Sequence, residues 1–329
     1  MAEILKLTLI LTVIAIAFGA ASNLCRSAYA EKNTDQNSTL SDETKISIPK
    51  TITVYKTATG ETEEMPLEDY VLGAVLGEIP GMIPLEAMKA QAIVARTYAV
   101  RRILTAQSAP DVTIGCADIS DNSDKYRTAV TPERASAIFD EEFEDIYSVA
   151  KRAVSETAGK ILTYDGYPII AAFHTANGGM TESAENVWGW DAPYLVSTES
   201  EGDLYSEYYG QSRKITAAEY KARISAAYTD GDFSDETLWE AVSDTDTGYV
   251  KSISVGGIIL TGEEFARIFT LESAVFTLEE ENSGNIVITV YGSGNLVGMS
   301  IVGAAYMAES GASCEDILEH YFAGTEIAD

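Results

Sequence analysis

"VLGEIPGMIPLEAMKAQAIVARTYA", Val75–Ala99, is the stretch whose reading decides the fold. It is mostly apolar, yet Glu78, Lys89 and Arg96 stand inside it. Just upstream, Met65-Pro66-Leu67-Glu68-Asp69 starts a helix, because proline suits the first helical position and acids suit the first turn. Leu67, Val71, Ala74 and Val75 give that helix an apolar face. Pro80-Gly81 stops it, and Pro84 opens a second helix, "LEAMKAQAIVARTYAVRRIL". The pattern predicts an αα-hairpin with Glu78 at its corner. A carboxylate at a helix C-terminus opposes the dipole, and apolar neighbours desolvate it. Both effects raise its pKa, as a general acid at neutral pH requires. The plain alternative is an exposed helix end. Lys89 and Arg96 lie two turns apart on one face of the second helix. Arg96, among Ile93, Val94, Ala95 and Tyr98, needs a partner, because an unpaired buried charge is costly.

Working outward, "TITVYKTATGETEEM" alternates and turns at Thr59-Gly60, which predicts a hairpin. Asp140–Val154 reads as a helix, and "KILTYDGYPIIAAFHTANGG" as two strands around the Asp165-Gly166 turn. The second strand ends at Phe173-His174, and Thr175–Gly179 must turn tightly. Residues 199–250 are acidic, rich in tyrosine and weakly periodic, which suggests a peripheral subdomain or insertion. "YVKSISVGGIIL", a helix at Gly262–Phe269, strands near Val275 and at Ile286–Tyr291, and a helix at Met299–Glu309 complete an α+β class. In that class the helical hairpin packs on mixed or antiparallel sheet, with a smaller acidic peripheral subdomain.

The chain has 329 residues and a net charge of −29. Such a body argues against binding nucleic acid and against electrostatic capture of anionic lipid or polymer. A neutral or cationic substrate is easier to reconcile with it, and solubility alone is the simplest account. There are three cysteines, Cys25, Cys116 and Cys314, and two histidines, His174 and His320, with no CxxC. These make a poor zinc set, and Cys116 and Cys314 are a possible disulfide. Residues 1–30 carry an apolar run from Leu7 to Ala21 and an Ala28-Tyr29-Ala30 cleavage-like site, so they form either a membrane anchor or a cleaved signal. Residues 31–47 are a polar tether. Residues 48–329 are the folded domain, with 199–250 as its possible insertion.

Gly292-x-Gly294-x-x-x-Gly298 follows a strand and precedes a helix, as a dinucleotide loop does. No later strand brings the required acid, so close backbone approach is the preferred reading. There is no Gly-x-Ser-x-Gly elbow. His174 is either a hydrogen-bonded structural residue or a ligand contact at a strand end. Glu78 is the sharpest catalytic candidate, with Glu182, Glu185 or Asp191 available as a second carboxylate.

"PLEDYVLGAVLGEIPGMIPLEAMKAQAIVARTYA" and "FHTANGGMTESAENVWGWDAPYLVSTES" resemble the two leading blocks of the stage II sporulation protein D and amidase-enhancer family. "GIILTGEEFARIFTLESAVFTLEE" and "YGSGNLVGMSIVGAAYMAESGASCEDILEHYFAGTEI" resemble its end. The resemblance implies a lytic transglycosylase, without cofactor, that cleaves peptide-stripped peptidoglycan strands. It also implies an anchored protein, outside the cytoplasm at the sporulation septum, that acts in engulfment beside a cell-wall amidase and a membrane scaffold partner. Secretion after signal cleavage is the alternative. Glu78 falls on the family's catalytic acid. Lys89 and Arg96, with His174, Thr175, Asn177, Thr181 and Glu182 of the second block, fall on its substrate-binding surroundings. One carboxyl suffices for this reaction: Glu78 protonates the glycosidic oxygen, then takes the proton of the muramic C6 hydroxyl as a 1,6-anhydro ring closes. The last block departs from the family pattern. Ser293 replaces an arginine, Asn295 a histidine, Leu296 a glycine, Ile301 a glutamine and Val302 a tyrosine. Ser120 and Lys125 stand where some members carry zinc-binding cysteines, so no metal is implied. A glycan-binding protein that stimulates an amidase is the second reading. A hydrolase using Glu78 with Glu182 or Glu185 is the third.

Overall fold

A computed structural model describes residues 46–229, 231–233 and 237–329. The apolar leader and most of the tether lie outside the described residues. Among the described residues, no helix is long and apolar enough to cross a membrane. The chain forms two compact units. Unit 1 holds the described residues up to Gly77, Ala92–Ile170 and Ile327–Asp329, and unit 2 holds Glu78–Gln91 and Ala171–Glu326.

In unit 1, β1 (Thr51–Lys56) and β2 (Glu61–Pro66) form the predicted antiparallel hairpin, and β3 (Ile119–Ser120) adds in parallel to β1. Helix α1 (Leu67–Glu78) begins with Glu68 and Asp69 in its first turn. Helix α2 (Leu85–Ser108) follows the proline-bounded corner. Both run through the division between the units. Ile52 and Val54 of β1, Tyr70, Val71 and Ala74 of α1, and Val94, Ala99 and Val100 of α2 are buried. Gly73 of α1 lets the 129–130 backbone approach. A Cβ there would stand 2.7 Å from the Val130 carbonyl oxygen, whose own N–H donates to the Gly73 carbonyl at 3.0 Å. The helix expected at 140–154 is present from Phe143, and a helix that was not expected precedes it. Helix α3 (Pro132–Phe139) is capped by Thr131, Asp140 breaks the run at φ 48°, and α4 (Phe143–Glu156) follows. Strands β4 (Ile161–Tyr164) and β5 (Tyr167–Pro168) are joined at Asp165-Gly166 as predicted, with both turn residues at positive φ.

In unit 2, β6 (Phe173–His174) is two residues long and, instead of extending β5, pairs in parallel with a strand near the C-terminus. Helix α5 (Ala184–Trp188) follows the Gly-rich turn. Strand β7 (Tyr209–Thr216), helix α6 (Ala217–Ala227) and β8 (Ala241–Asp244) come from the acidic 199–250 stretch. Strands β9 (Val250–Val255) and β10 (Ile258–Leu260) complete a sheet of order β10-β9-β8. Helix α7 (Gly262–Phe269) starts with a Thr261–Glu264 capping box. Strands β11 (Phe276–Glu280) and β12 (Asn285–Tyr291) pair with β7 in the order β11-β12-β7. These elements share one apolar core containing Ile215, Tyr220, Ile253, Phe265, Phe269 and Ile288. Its rings pack face to face and tilted, with Phe265 4.5 Å from Phe269 and 4.7 Å from Phe276. The expected last helix begins two residues late. Met299–Ser300 is β13, Ser300 caps α8 (Ile301–Glu309), and a further helix, α9 (Cys314–Tyr321), ends the unit. Cys314 carries a buried thiol rather than a disulfide, so the Cys116–Cys314 pairing does not form. The α+β class holds, with small mixed and antiparallel sheets.

Candidate functional site

Glu78 ends α1 and is half-buried. Its Oε2 accepts the Gln91 Nε2–H at 2.8 Å. Gln91 is fully buried on α2, so its amide holds the carboxyl from beneath. Sequence reasoning missed Gln91. The available signal was a lone amide between Ala90 and Ala92 on an apolar helical face. Ile79, Ile83, Ala87 and Met88 of the same segment are buried, which gives Glu78 apolar company. Lys89 pairs with Glu86 at 2.8 Å. The other Glu86 oxygen accepts the Cys314 backbone N–H at 3.0 Å, which ties the corner to α9.

Arg96 lies in unit 1 and is a framework residue. It is 0% exposed and chelates Glu68 with Nε at 2.9 Å and Nη2 at 2.6 Å. Its remaining N–H groups reach the carbonyls of Ala92, Val154 and Lys160 and the Thr157 hydroxyl. All five guanidinium donors therefore have protein acceptors, which leaves none to hold a sugar. The partner that the sequence demanded is Glu68, in the first turn of α1.

The second block forms a buried polar network. Asn177 Oδ1 accepts the Gly179 N–H at 2.7 Å, so its Nδ2 faces His174 Nε2 at 3.1 Å. His174 Nε2 thus accepts, and Nδ1–H donates to the Val297 carbonyl at 3.3 Å. These two bonds hold the buried imidazole in position. The Asn177 N–H donates to Asp203 at 3.0 Å. Asp203 also accepts the Ser300 hydroxyl at 2.8 Å and that of Ser200, and Ser200 bonds Tyr321 at 2.7 Å. Burial raises the Asp203 pKa, opposed by these hydrogen bonds, and burial raises that of Tyr321 as well. The contacts run from Lys89 and Glu86 through α9 to Asp203, Asn177 and His174. Asp203 lies in the weakly periodic stretch, so nothing marked it beforehand.

The glycine loop confirms the packing interpretation. A Cβ on Gly292 would stand 2.6 Å from the Ala176 carbonyl oxygen, and one on Gly298 2.1 Å from that of Ala172. The Ser293 carbonyl accepts from Thr175 at 3.1 Å and Ala176 at 3.2 Å. Residues 172–177 and 292–299 are thus laced backbone to backbone. Leu296 holds φ 65° where the family pattern has glycine, and it is buried in an apolar cluster with Tyr249 and Val275. Asn295 caps the Val297 N–H at 3.0 Å, and Ile301 is buried. Asn295, Leu296 and Ile301 thus fill structural positions.

Thr175 is half-buried beside the turn. Thr181 is buried and accepts the Thr198 N–H at 2.9 Å. Glu182 is buried, and its oxygens accept from Thr245 at 2.8 Å and Asn186 at 3.0 Å. Desolvation raises its pKa, while those hydrogen bonds lower it. Glu185 and Asp191 are exposed. Because Glu182 binds its proton more tightly when folded, its ionisation destabilises the fold as pH rises from the ordinary glutamate range through its raised pKa. Glu182→Gln keeps the shape without that cost. Thermal midpoints of the two proteins from acid to neutral pH are expected to show the variant gaining on the wild type as pH rises.

The family model described as Stage II sporulation protein matches residues 55–164. Stage II sporulation protein D of Bacillus subtilis (strain 168) is 33% identical over 287 residues, 87% of this chain and 81% of that protein. Stage II sporulation protein D of Bacillus amyloliquefaciens is 34% identical over 287 residues, 87% and 80% of the two chains. The amidase enhancer of Bacillus subtilis (strain 168) is 24% identical over 308 residues, 78% of this chain and 40% of that protein. With one residue in three shared across most of both sporulation proteins, this chain belongs to the stage II sporulation protein D family.

Proposed function

We propose that this chain is an exported, membrane-anchored lytic transglycosylase that cleaves peptidoglycan glycan strands, preferring peptide-stripped ones, at the sporulation septum. The observation that carries the proposal is the Glu78 carboxyl, half-buried at a helix end and held by buried Gln91. The protonated Glu78 carboxyl, held through Oε2 by the Gln91 N–H, gives its proton to the leaving glycosidic oxygen. The carboxylate then accepts the muramic C6 hydroxyl proton, and that oxygen closes the 1,6-anhydro ring. No water enters, and a nucleophile within the sugar supplies the proximity. Two-carboxylate hydrolysis is less well supported: Glu182 is committed to Thr245 and Asn186, and Glu185 is exposed.

The net charge of −29 bears on the substrate. Removing the peptide frees a lactyl carboxylate on each muramic unit, so stripped glycan and protein repel. Soluble saccharide release from amidase-stripped sacculi is the test. It is expected to exceed release from intact sacculi and to rise with salt up to about 0.15 M, as screening weakens the repulsion. Equal release from both materials, or a fall with salt over that range, contradicts the proposal.

A second reading has its own support. An amidase enhancer is among the relatives, and the altered residues from Ser293 to Ile301 serve packing and turn formation. In that reading the chain binds glycan and stimulates a cell-wall amidase without cleaving. Amidase stimulation that survives Glu78→Gln, with no glycan cleavage by the wild type, selects it.

A further inference from the structure

Leu204, Tyr205, Tyr209 and Tyr306 of unit 2 are exposed apolar side chains, and half-buried Tyr291 lies with them along a belt. Tyr205 and Tyr306 stack with ring centroids 6.0 Å apart and planes 24° apart. Tyr306 backs onto the 201–205 turn, where a Cβ on Gly202 would meet the Tyr306 Cβ at 2.3 Å. Leu204 lies against Gly179, where a Cβ would stand 2.7 Å from its Cδ2. On the other side of the turn Tyr291 lies against Gly178, 3.4 Å from a Cβ built there. Tyr291 meets Tyr209 edge to face at 5.1 Å. Backbone bonds fix the arrangement: Ser200 N–H donates to Gly179 and Gly292 N–H to Tyr208, each at 2.8 Å. The belt therefore borders both sides of the Thr175–Gly179 turn. Clustered exposed apolar groups of this kind mark an interaction surface.

The chemistry of the belt selects its occupant. Tyr205 is 72% exposed beside Tyr306, so much of its ring is open to solvent. The charged groups beside the belt are acidic: Glu201 at the Tyr205 hydroxyl, with Glu207 and Glu272 near Tyr208. An open ring face suits the C–H face of a pyranose, and rigid tyrosines offer contact area at small entropic cost. The carboxylates accept hydrogen bonds from hydroxyl and acetamido N–H groups, and they repel a sugar that carries its own carboxylate. We infer that the Tyr205–Tyr306 belt is a glycan subsite for the uncharged N-acetylglucosamine units of a strand, flanking the Thr175–Gly179 turn. This rests on the reading that the chain acts on glycan.

Chitohexaose, an uncharged N-acetylglucosamine oligomer, is titrated into the full chain by calorimetry. Tyr205→Ala is expected to weaken binding about two- to tenfold, with an unchanged thermal midpoint because the side chain is exposed. Tyr205→Phe keeps the ring and is expected to bind nearly as the wild type does. No binding by the wild type, equal binding by Tyr205→Ala, or equal losses in Ala and Phe each overturn the subsite. Tyr205→Ala that binds chitohexaose normally but fails to stimulate an amidase also overturns it and makes the belt a protein-docking surface. Glycan binding with no anhydro products would sink the enzymatic reading and leave the subsite standing.

Discussion

Glu78→Gln is expected to lower anhydro-muramic product formation from stripped glycan about a thousandfold, or below detection. General acid–base transfer by one group contributes about 10²–10⁴ in rate, and here one carboxyl serves in both directions. Glutamine cannot donate an acidic proton or accept one. Its amide oxygen still accepts from Gln91, so stability is expected to change by less than about 1 kcal/mol. Gln91→Leu is the graded companion. It keeps the carboxyl and removes its anchor, a hydrogen bond to a charged group worth about 1.5–3 kcal/mol, so a loss of roughly ten- to hundredfold is expected. Rates for the wild type and both variants, with thermal midpoints beside them, check the pair. Full activity in Glu78→Gln would remove Glu78 from the chemistry.

Arg96→Ala is expected to destabilise the chain by about 3 kcal/mol, the cost of removing a fully buried side chain together with its hydrogen bonds. The Glu68 side chain is 38% exposed and rehydrates when left alone. The carbonyls of Ala92, Val154 and Lys160 each lose one donor, which adds to the loss. Arg96→Lys keeps the charge but loses the two-pronged geometry, and is expected to fall between. Glu68→Gln is expected to cost less than Arg96→Ala. Denaturant unfolding of the variants measures the order. An Arg96→Ala chain as stable as the wild type, but with weakened glycan binding, would return Arg96 to the substrate site.

The corner around Glu78 was legible because its signals are local. Pro66, Pro80-Gly81 and Pro84 punctuate the chain, and the apolar period between them is helical. The β1–β2 and β4–β5 turns were legible for the same reason. What escaped depends on distant partners or on weak period. Periodicity puts Lys89 and Arg96 on one face, but cannot say that Glu86 takes one and Glu68 the other. Helix α3 was hidden by the acids from Asp140 onward, although Thr131-Pro132 is a sound start. Helix α9 is only eight residues long, though Ser313 and Asp316 form a capping box. Strand β6 is a two-residue pairing with β13, where Ser300 sits opposite His174 far along the chain, which alternation cannot reveal. Asp203, which gathers Asn177, Ser200 and Ser300, lies in the stretch expected as a possible insertion. There, half-exposed strands such as β7 blur the pattern.

The central claim is that Glu78 drives a cleavage without water, and the terminal sugars report on it directly. The full chain is incubated with amidase-stripped glycan in water enriched in heavy oxygen, and the released ends are weighed by mass spectrometry. The predicted result is unlabelled muramic ends, each lighter by one water than a reducing end. Reducing ends that carry the heavy oxygen, or no cleavage at all, would contradict it.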